Sequence, residues 1–207
     1  MTLRKHAARG LFTVTAAALA IGFGATQALA ATTLTVVVAN GGTIHASSSH
    51  TVLTDNGISV TCSSSKGTAS VPSKTTKGTS PVTIGSITAL SFGGCTGPTG
   101  AVTVHVTKLP KLQIDGKTSG SNTDGIVAGV STSLTSTGCS FKVAGSAPGF
   151  WSNSSHTLNM TPSAKGLNKA QLTISGVSGC LGLVHNGDHP SYTSTYTTGS
   201  KMTITSS

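Results

Sequence analysis

The sequence of 207 residues contains no glutamate, and its only arginines, Arg4 and Arg9, lie at the very beginning of the chain. Only 8% of the residues are charged and 4% are aromatic. Guanidinium groups recognise phosphates and guanine, and exposed aromatic rings stack on single-stranded bases, so the composition disfavours a nucleic-acid-binding protein. The only acids are four aspartates, and none of them forms an obvious carboxylate pair for glycoside hydrolysis.

Short motifs of enzymes and metal sites are also absent. The chain has no Gly-x-Ser-x-Gly segment, which would present a nucleophilic serine, and no Cys-x-x-Cys segment, which is typical of redox and zinc sites. We therefore expect no catalytic residue, no metal ligand and no cofactor. A non-enzymatic protein is favoured over an enzyme.

The N-terminal segment has the organisation of a secretory signal peptide. A basic head precedes an apolar run over residues 11–23, which is shorter than the about 20 residues needed to cross a bilayer. Ala28-Leu29-Ala30 matches the small-x-small pattern of a cleavage site. We predict that residues 1–30 are removed before Ala31, and that the mature chain is released outside the cell without stable membrane insertion.

The mature chain, residues 31–207, keeps ten lysines and four aspartates, which gives a net charge of +6. The lysines are scattered along the sequence rather than clustered. Such a distribution indicates weak attraction to anionic polymers at a cell surface and not a nucleic-acid site.

Apolar and β-branched residues alternate in short runs, which is typical of half-buried strands. Val102, Val104 and Val106 share one face of such a run, and Thr103 and His105 share the other. Ten candidate strands follow one another at a spacing of roughly eight to twelve residues: 33–38, 58–62, 82–92, 101–107, 126–134, 139–144, 157–160, 170–174, 192–197 and 201–205. We predict an all-β, antiparallel β-sandwich or barrel.

Four dipeptides between these runs favour tight turns: Asn40-Gly41, Asn56-Gly57, Asp124-Gly125 and Asn186-Gly187. The polar stretch after Ile114 is the best candidate for a seam between two similar halves, near residues 115–125. A linker and a long surface loop have the same composition, and we favour a loop within a single domain over residues 31–207, because two small halves would each have a thin core.

The mature chain has four cysteines, an even number that indicates disulfides in a secreted protein. Gly94-Cys95-Thr96-Gly97 is repeated in form by Gly179-Cys180-Leu181-Gly182, and each motif follows an upstream cysteine, Cys62 or Cys139. This internal repeat predicts the disulfide pairs Cys62–Cys95 and Cys139–Cys180. The flanking glycines would let the two backbones approach each other closely.

Two places carry weak candidates for a binding site. In the segment His185-Asn186-Gly187-Asp188-His189, a two-residue turn would place His185 and Asp188 opposite each other and His189 on the other face. Phe150 and Trp151 are neighbours in a strand, so one ring would be buried and the other exposed or covered by a loop. An exposed ring could stack on a sugar, but both rings more often fill a core.

The mature chain resembles a group of small secreted proteins of high-GC Gram-positive bacteria that are rich in Ala, Ser, Thr and Gly and have two cysteine pairs. The matching features are the pair Cys62 and Cys95, the Leu109-Pro110 step after a Val/Thr strand, and the Cys139-Ser140-Phe141 strand. An aromatic residue often follows the Leu-Pro step in that group, whereas this chain has Lys111. The resemblance implies a secreted β-rich protein and no particular activity.

Three functions are compatible with these features. The first is non-enzymatic binding of a cell-surface component, either a wall polysaccharide or another protein. The second is inhibition of extracellular proteases by a loop over residues 63–81. The third is a hydrolase that uses His185 and Asp188.

Overall fold

The computed structural model describes residues 32–164 and 170–207. The predicted signal peptide and its cleavage point before Ala31 lie outside the described residues. All described residues belong to one compact unit. Within these ranges, no helix has the length and hydrophobicity that crossing a membrane would require.

The described residues form fourteen strands, all paired in antiparallel fashion, so the predicted fold class is confirmed. The strands are β1 (Thr33–Ala39), β2 (Gly42–Ser48), β3 (Thr51–Asp55), β4 (Ile58–Val71), β5 (Lys74–Thr79), β6 (Val82–Gly97), β7 (Gly100–Lys108), β8 (Lys111–Ser119), β9 (Asn122–Ser136), β10 (Cys139–Ser152), β11 (Thr157–Met160), β12 (Leu172–Gly179), β13 (Ser191–Thr198) and β14 (Thr203–Ser206). A short 3-10 turn, Cys180–Gly182, follows β12.

Eleven strands form one sheet that closes on itself. Along the ring, β10 pairs with β11, β11 with β13, β13 with β2 and β3, and both of these with β4. The ring continues from β4 to β6 and then to β7 and β8, which both pair with β9; β9 pairs with β10 along its whole length. Strand β12 pairs with the first half of β10. Because side chains alternate between strand faces, one set points into the enclosed space.

The other three strands form a small sheet in the order β14-β1-β5. Leu34, Val36 and Val38 alternate along β1 and are buried, and they belong to the same core cluster as Ile204 of β14 and Trp151 of the closed sheet. The small sheet therefore packs against the closed sheet through its apolar face.

Two segments predicted as loops are strands. Residues 63–71 continue β4 and Lys74–Thr79 form β5, so the long loop proposed for protease inhibition is not present. The stretch proposed as a seam or loop near 115–125 is the hairpin of β8 and β9. Asp124-Gly125 is not a turn but part of β9, where a side chain at Gly125 would overlap the carbonyl oxygen of Gln113.

Both predicted disulfides, Cys62–Cys95 and Cys139–Cys180, are confirmed. Cys62 and Cys95 lie opposite each other in the pairing of β4 with β6. The glycine before the second cysteine of each pair has a left-handed backbone, with φ of 59° at Gly94 and 70° at Gly179. A side chain would overlap the Ser63 hydroxyl at Gly94 and the Gly138 carbonyl oxygen at Gly179, so these glycines permit the close approach that the motifs predict.

Candidate functional site: an apolar cavity inside the closed sheet

Alternation along the strands gives the closed sheet an apolar interior. On β7, Val102, Val104 and Val106 are partly buried, whereas Thr103 and His105 are exposed, as the sequence pattern predicts. Val102 and Val104 pack against inward-facing side chains of the other strands.

The interior is not completely filled. It contains a cavity with about 180 Å³ of space for the centres of water-sized molecules, and its lining includes Ile44, Leu53, Leu112 and Leu158. The polar side chains of the lining are five threonines, Gln113 and two tyrosines, and no charged side chain of the described residues contributes to it. An apolar cavity of about 150 Å³ can hold benzene, so this cavity has room for an apolar group of at least about six carbons.

One side of the cavity wall lacks a continuous ladder of backbone hydrogen bonds. Strand β6 pairs with β7 only over residues 95–97 and with β8 only over residues 82–86. Between these pairings, residues 89–93 pair only with β4, and residues 103–106 and 108 of β7 pair only with β9. We call this interruption the β6–β7 gap. Leu90, Phe92 and Val104 lie along it, line the cavity and are only partly buried.

A chain of hydroxyl groups lies against the opposite part of the lining. The hydroxyls of Tyr192 and Tyr196 are 2.6 Å apart, and Tyr196 accepts a hydrogen bond of 2.9 Å from Ser65. The hydroxyl oxygen of Thr51 lies 3.0 Å from the hydroxyl oxygens of both Ser65 and Ser194. We call these groups, together with Ser48, the hydroxyl chain; Thr51, Tyr192 and Tyr196 also line the cavity.

The hydroxyl chain satisfies its groups within the described residues. At its far end Ser194 donates to Ser48, and Ser48 donates to the carbonyl oxygen of His50. At its near end the Tyr192 hydroxyl interacts with Tyr196, Thr51 and Ser194, and Tyr196 also accepts a hydrogen bond from Ser65. A molecule in the cavity therefore meets hydroxyl groups that already have partners.

The Tyr192 hydroxyl is neutral across the physiological range. Burial raises the pKa of Tyr192 well above its ordinary value of 10.0, and the adjacent Tyr196 adds to the rise. Tyr192 therefore offers no charge to a molecule in the cavity.

Trp151 belongs to the cavity wall. Its side chain is only 5% exposed, and its Nε1 donates to Oδ1 of Asn153 at 2.9 Å. Phe150 is partly buried and also lines the cavity. The Trp151 ring is therefore not available to stack on a sugar at the surface. It could contact only a molecule that occupies the cavity.

His185 and Asp188 face each other across the Asn186-Gly187 turn, as the sequence predicts. The distance from His185 Nδ1 to Asp188 Oδ2 is 3.5 Å, and the same oxygen accepts from the His185 backbone N–H at 2.9 Å. That backbone hydrogen bond is the main reason why the pKa of Asp188 is lowered. His189 is directed elsewhere, with Nδ1 3.0 Å from the carbonyl oxygen of Leu172.

A second carboxyl group, which the sequence does not single out, lies beside this turn. Burial raises the pKa of Asp55 at the end of β3, and its hydrogen bond with Asp188 and the charge of Asp188 raise it further. Neither aspartate lines the large cavity. In the described part of the chain, no three His, Cys, Asp or Glu side chains are grouped so that they could hold a metal ion.

Comparison with protein families, with curated proteins and with solved structures gives no match to this chain. The geometry of the cavity is therefore the basis for a functional proposal.

Proposed function

We propose that the protein is a secreted, non-enzymatic binding protein that holds a small, mostly apolar molecule inside its closed sheet. The observation that carries the proposal is the cavity of about 180 Å³, whose lining is apolar apart from a few neutral polar groups. Ligand pockets commonly combine an apolar wall with a small number of polar groups that fix orientation.

The residues that line the cavity support binding rather than catalysis. The lining contains no Asp, His or Lys of the described chain, so no general acid or base with an ordinary pKa faces a molecule held there. The His185–Asp188 pair is outside the cavity, and His185 is 65% exposed.

An extracellular location is part of the proposal. It rests on the predicted signal peptide and on the two disulfides, which are typical of proteins that fold in an oxidising compartment. The composition also predicts a partner at the cell surface. Since Trp151 and Tyr196 are buried, the described surface gives a polysaccharide few rings on which to stack, and the interior supports an apolar ligand better.

Isothermal titration calorimetry of the mature protein with 1-octanol tests this function. We expect saturable binding of one molecule with a negative heat-capacity change, because apolar surface is removed from water. Ala69→Phe should abolish the binding, since Ala69 lines the cavity and a phenyl ring would occupy it.

The matched control is Ala89→Phe. Ala89 is exposed on β6, near Ala69 in the pairing of β4 with β6, so the same substitution there adds a ring outside the cavity. Loss of octanol binding in Ala69→Phe but not in Ala89→Phe supports an interior site. Equal binding by both variants, or no binding to the unmodified protein, refutes the proposal.

A further inference from the structure

The β6–β7 gap has an unusual corner at the connection between β7 and β8. The backbone N–H of Ile87 donates to the carbonyl oxygen of Pro110 at 3.0 Å, and this hydrogen bond marks the end of the gap. Lys108 and Lys111 flank Leu109 and Pro110, and both lysines are exposed. Leu109 is an exposed large apolar residue, 42% accessible. The corner thus combines apolar surface with two positive charges.

Neither of these charges is neutralised by a carboxylate of the described residues. Residues 56–114 contain no aspartate or glutamate, and neither Lys108 nor Lys111 forms an ion pair with a described carboxylate. Lys66 of β4 adds a further positive charge on the outer face, because it lies opposite Ser91 in the stretch of β6 that has no partner in β7. The rim of the gap is therefore positive, and its field attracts anions.

The interior of the closed sheet, in contrast to the rim, disfavours a charged group. No charged side chain of the described residues lines the cavity, and burial raises the pKa of Tyr192, so its hydroxyl is neutral there. A carboxylate or phosphate placed inside would lose its hydration without gaining a counter-charge, which is strongly unfavourable. A charged head group must therefore stay at the rim while an apolar tail occupies the cavity.

We propose that the β6–β7 gap is the entrance to the cavity and that the ligand is an anionic amphiphile with a single alkyl chain of medium length. Its tail enters beside Leu90, the lining residue of the gap that lies nearest to the corner, and its carboxylate or phosphate is held by Lys108 and Lys111. The inference rests on the proposed function and adds the route, the orientation and the charge of the ligand.

The test compares molecules that share a tail and differ in the head group: octanoate, octyl phosphate and 1-octanol. In the unmodified protein, we expect the two anions to bind more tightly than the alcohol at low salt, and this advantage should fade as the ionic strength rises above about 0.1 M. The double variant Lys108→Gln/Lys111→Gln should weaken binding of the anions about three- to tenfold and leave 1-octanol binding unchanged.

The matched control is Lys142→Gln/Lys201→Gln, which removes the same charge from two exposed lysines outside β6, β7 and β8. It should leave the affinity for all three molecules within about twofold of that of the unmodified protein. If Lys108→Gln/Lys111→Gln weakens the binding of octanoate more than that of octyl phosphate, a carboxylate is the preferred head group. The reverse result would identify a phosphate.

Failure of this inference can be separated from failure of the proposed function. If 1-octanol binds and Ala69→Phe abolishes its binding, the cavity site stands. Equal affinity of octanoate for the unmodified protein and for Lys108→Gln/Lys111→Gln would then overturn the rim assignment alone. If 1-octanol does not bind, both proposals fall.

Discussion

The hydroxyl oxygens of Tyr192 and Tyr196 lie 2.6 Å apart on the inner face of β13, and each hydroxyl has further partners in the hydroxyl chain. Tyr196 accepts a hydrogen bond from the buried Ser65, and Tyr192 interacts with Thr51 and Ser194.

Substituting either tyrosine by phenylalanine should destabilise the fold. Each substitution removes a hydroxyl that interacts with at least two other hydroxyls of the chain, so we expect the free energy of unfolding to fall by about 1–3 kcal/mol in each variant. Urea unfolding of the two variants checks the prediction, and an unchanged stability in either variant would contradict it.

The glycine before Cys180 is expected to be irreplaceable for a steric reason as well as a conformational one. Gly179 and Gly120 both have a positive φ, of 70° and 59°, but a side chain at Gly179 would overlap the backbone carbonyl oxygen of Gly138, whereas one at Gly120 meets nothing within 4 Å. Gly120→Ala should therefore cost only the left-handed strain of about 1–2 kcal/mol, and Gly179→Ala should cost clearly more, because a backbone atom cannot rotate away. Equal losses in urea unfolding would show that a backbone shift relieves the overlap at no cost.

The two disulfides should contribute comparably to stability. The cysteines are separated by 33 residues in one pair and by 41 in the other. The chain-entropy model gives about 4 kcal/mol for loops of either length. We expect Cys62→Ala/Cys95→Ala and Cys139→Ala/Cys180→Ala each to lower the free energy of unfolding by about 2–4 kcal/mol in urea titrations. A loss below about 1 kcal/mol in either variant would mean that its bridge does not constrain the unfolded chain.

Asp55 and Asp188 should respond to pH with opposite signs. The folded protein raises the pKa of Asp55, so the contribution of that carboxyl to stability is present below its ordinary pKa of 3.8 and is lost as the pH rises through the folded value. Asp55→Asn should therefore raise the melting temperature near neutral pH, by about 1–3 °C, and the gain should vanish toward pH 3.8.

The pKa of Asp188 is lowered, so its contribution is present above 3.8 and is lost as the pH falls through the folded value. Asp188→Asn should accordingly lower the melting temperature near neutral pH. Differential scanning calorimetry as a function of pH measures both effects, and the same sign for both variants would contradict the assignment.

Most of the strand pattern could be predicted from the sequence, because apolar alternation is a local property. All ten predicted strands are present, but β2, β3, β5 and β8 were not predicted. The second half of β4 illustrates why. Residues 63–70 are Ser, Lys, Gly, Thr and Ala, and this composition is also that of a loop. Ser65 is buried there because hydroxyls from other strands satisfy it.

The cavity could not be predicted, since it depends on which distant strands meet. Period-two alternation places Tyr192, Ser194 and Tyr196 on one face, but the partner of Ser194 is Thr51, which is 143 residues away. The small residues Gly67 and Ala69 line the cavity, but this follows only once the strands are known to form a closed ring. The disulfides were predictable because the repeated Gly-Cys-x-Gly motif lies in the sequence itself.

Methyl-resolved NMR of the mature protein during titration with 1-octanol tests most directly whether the interior of the closed sheet accepts an apolar ligand. We expect saturable shifts for methyl groups that line the cavity, such as those of Ile44, Leu112 and Leu158, and none for Val37 and Leu181, which are exposed on the surface. Shifts confined to Val37 and Leu181, or unchanged interior methyl signals at saturating 1-octanol, would contradict it.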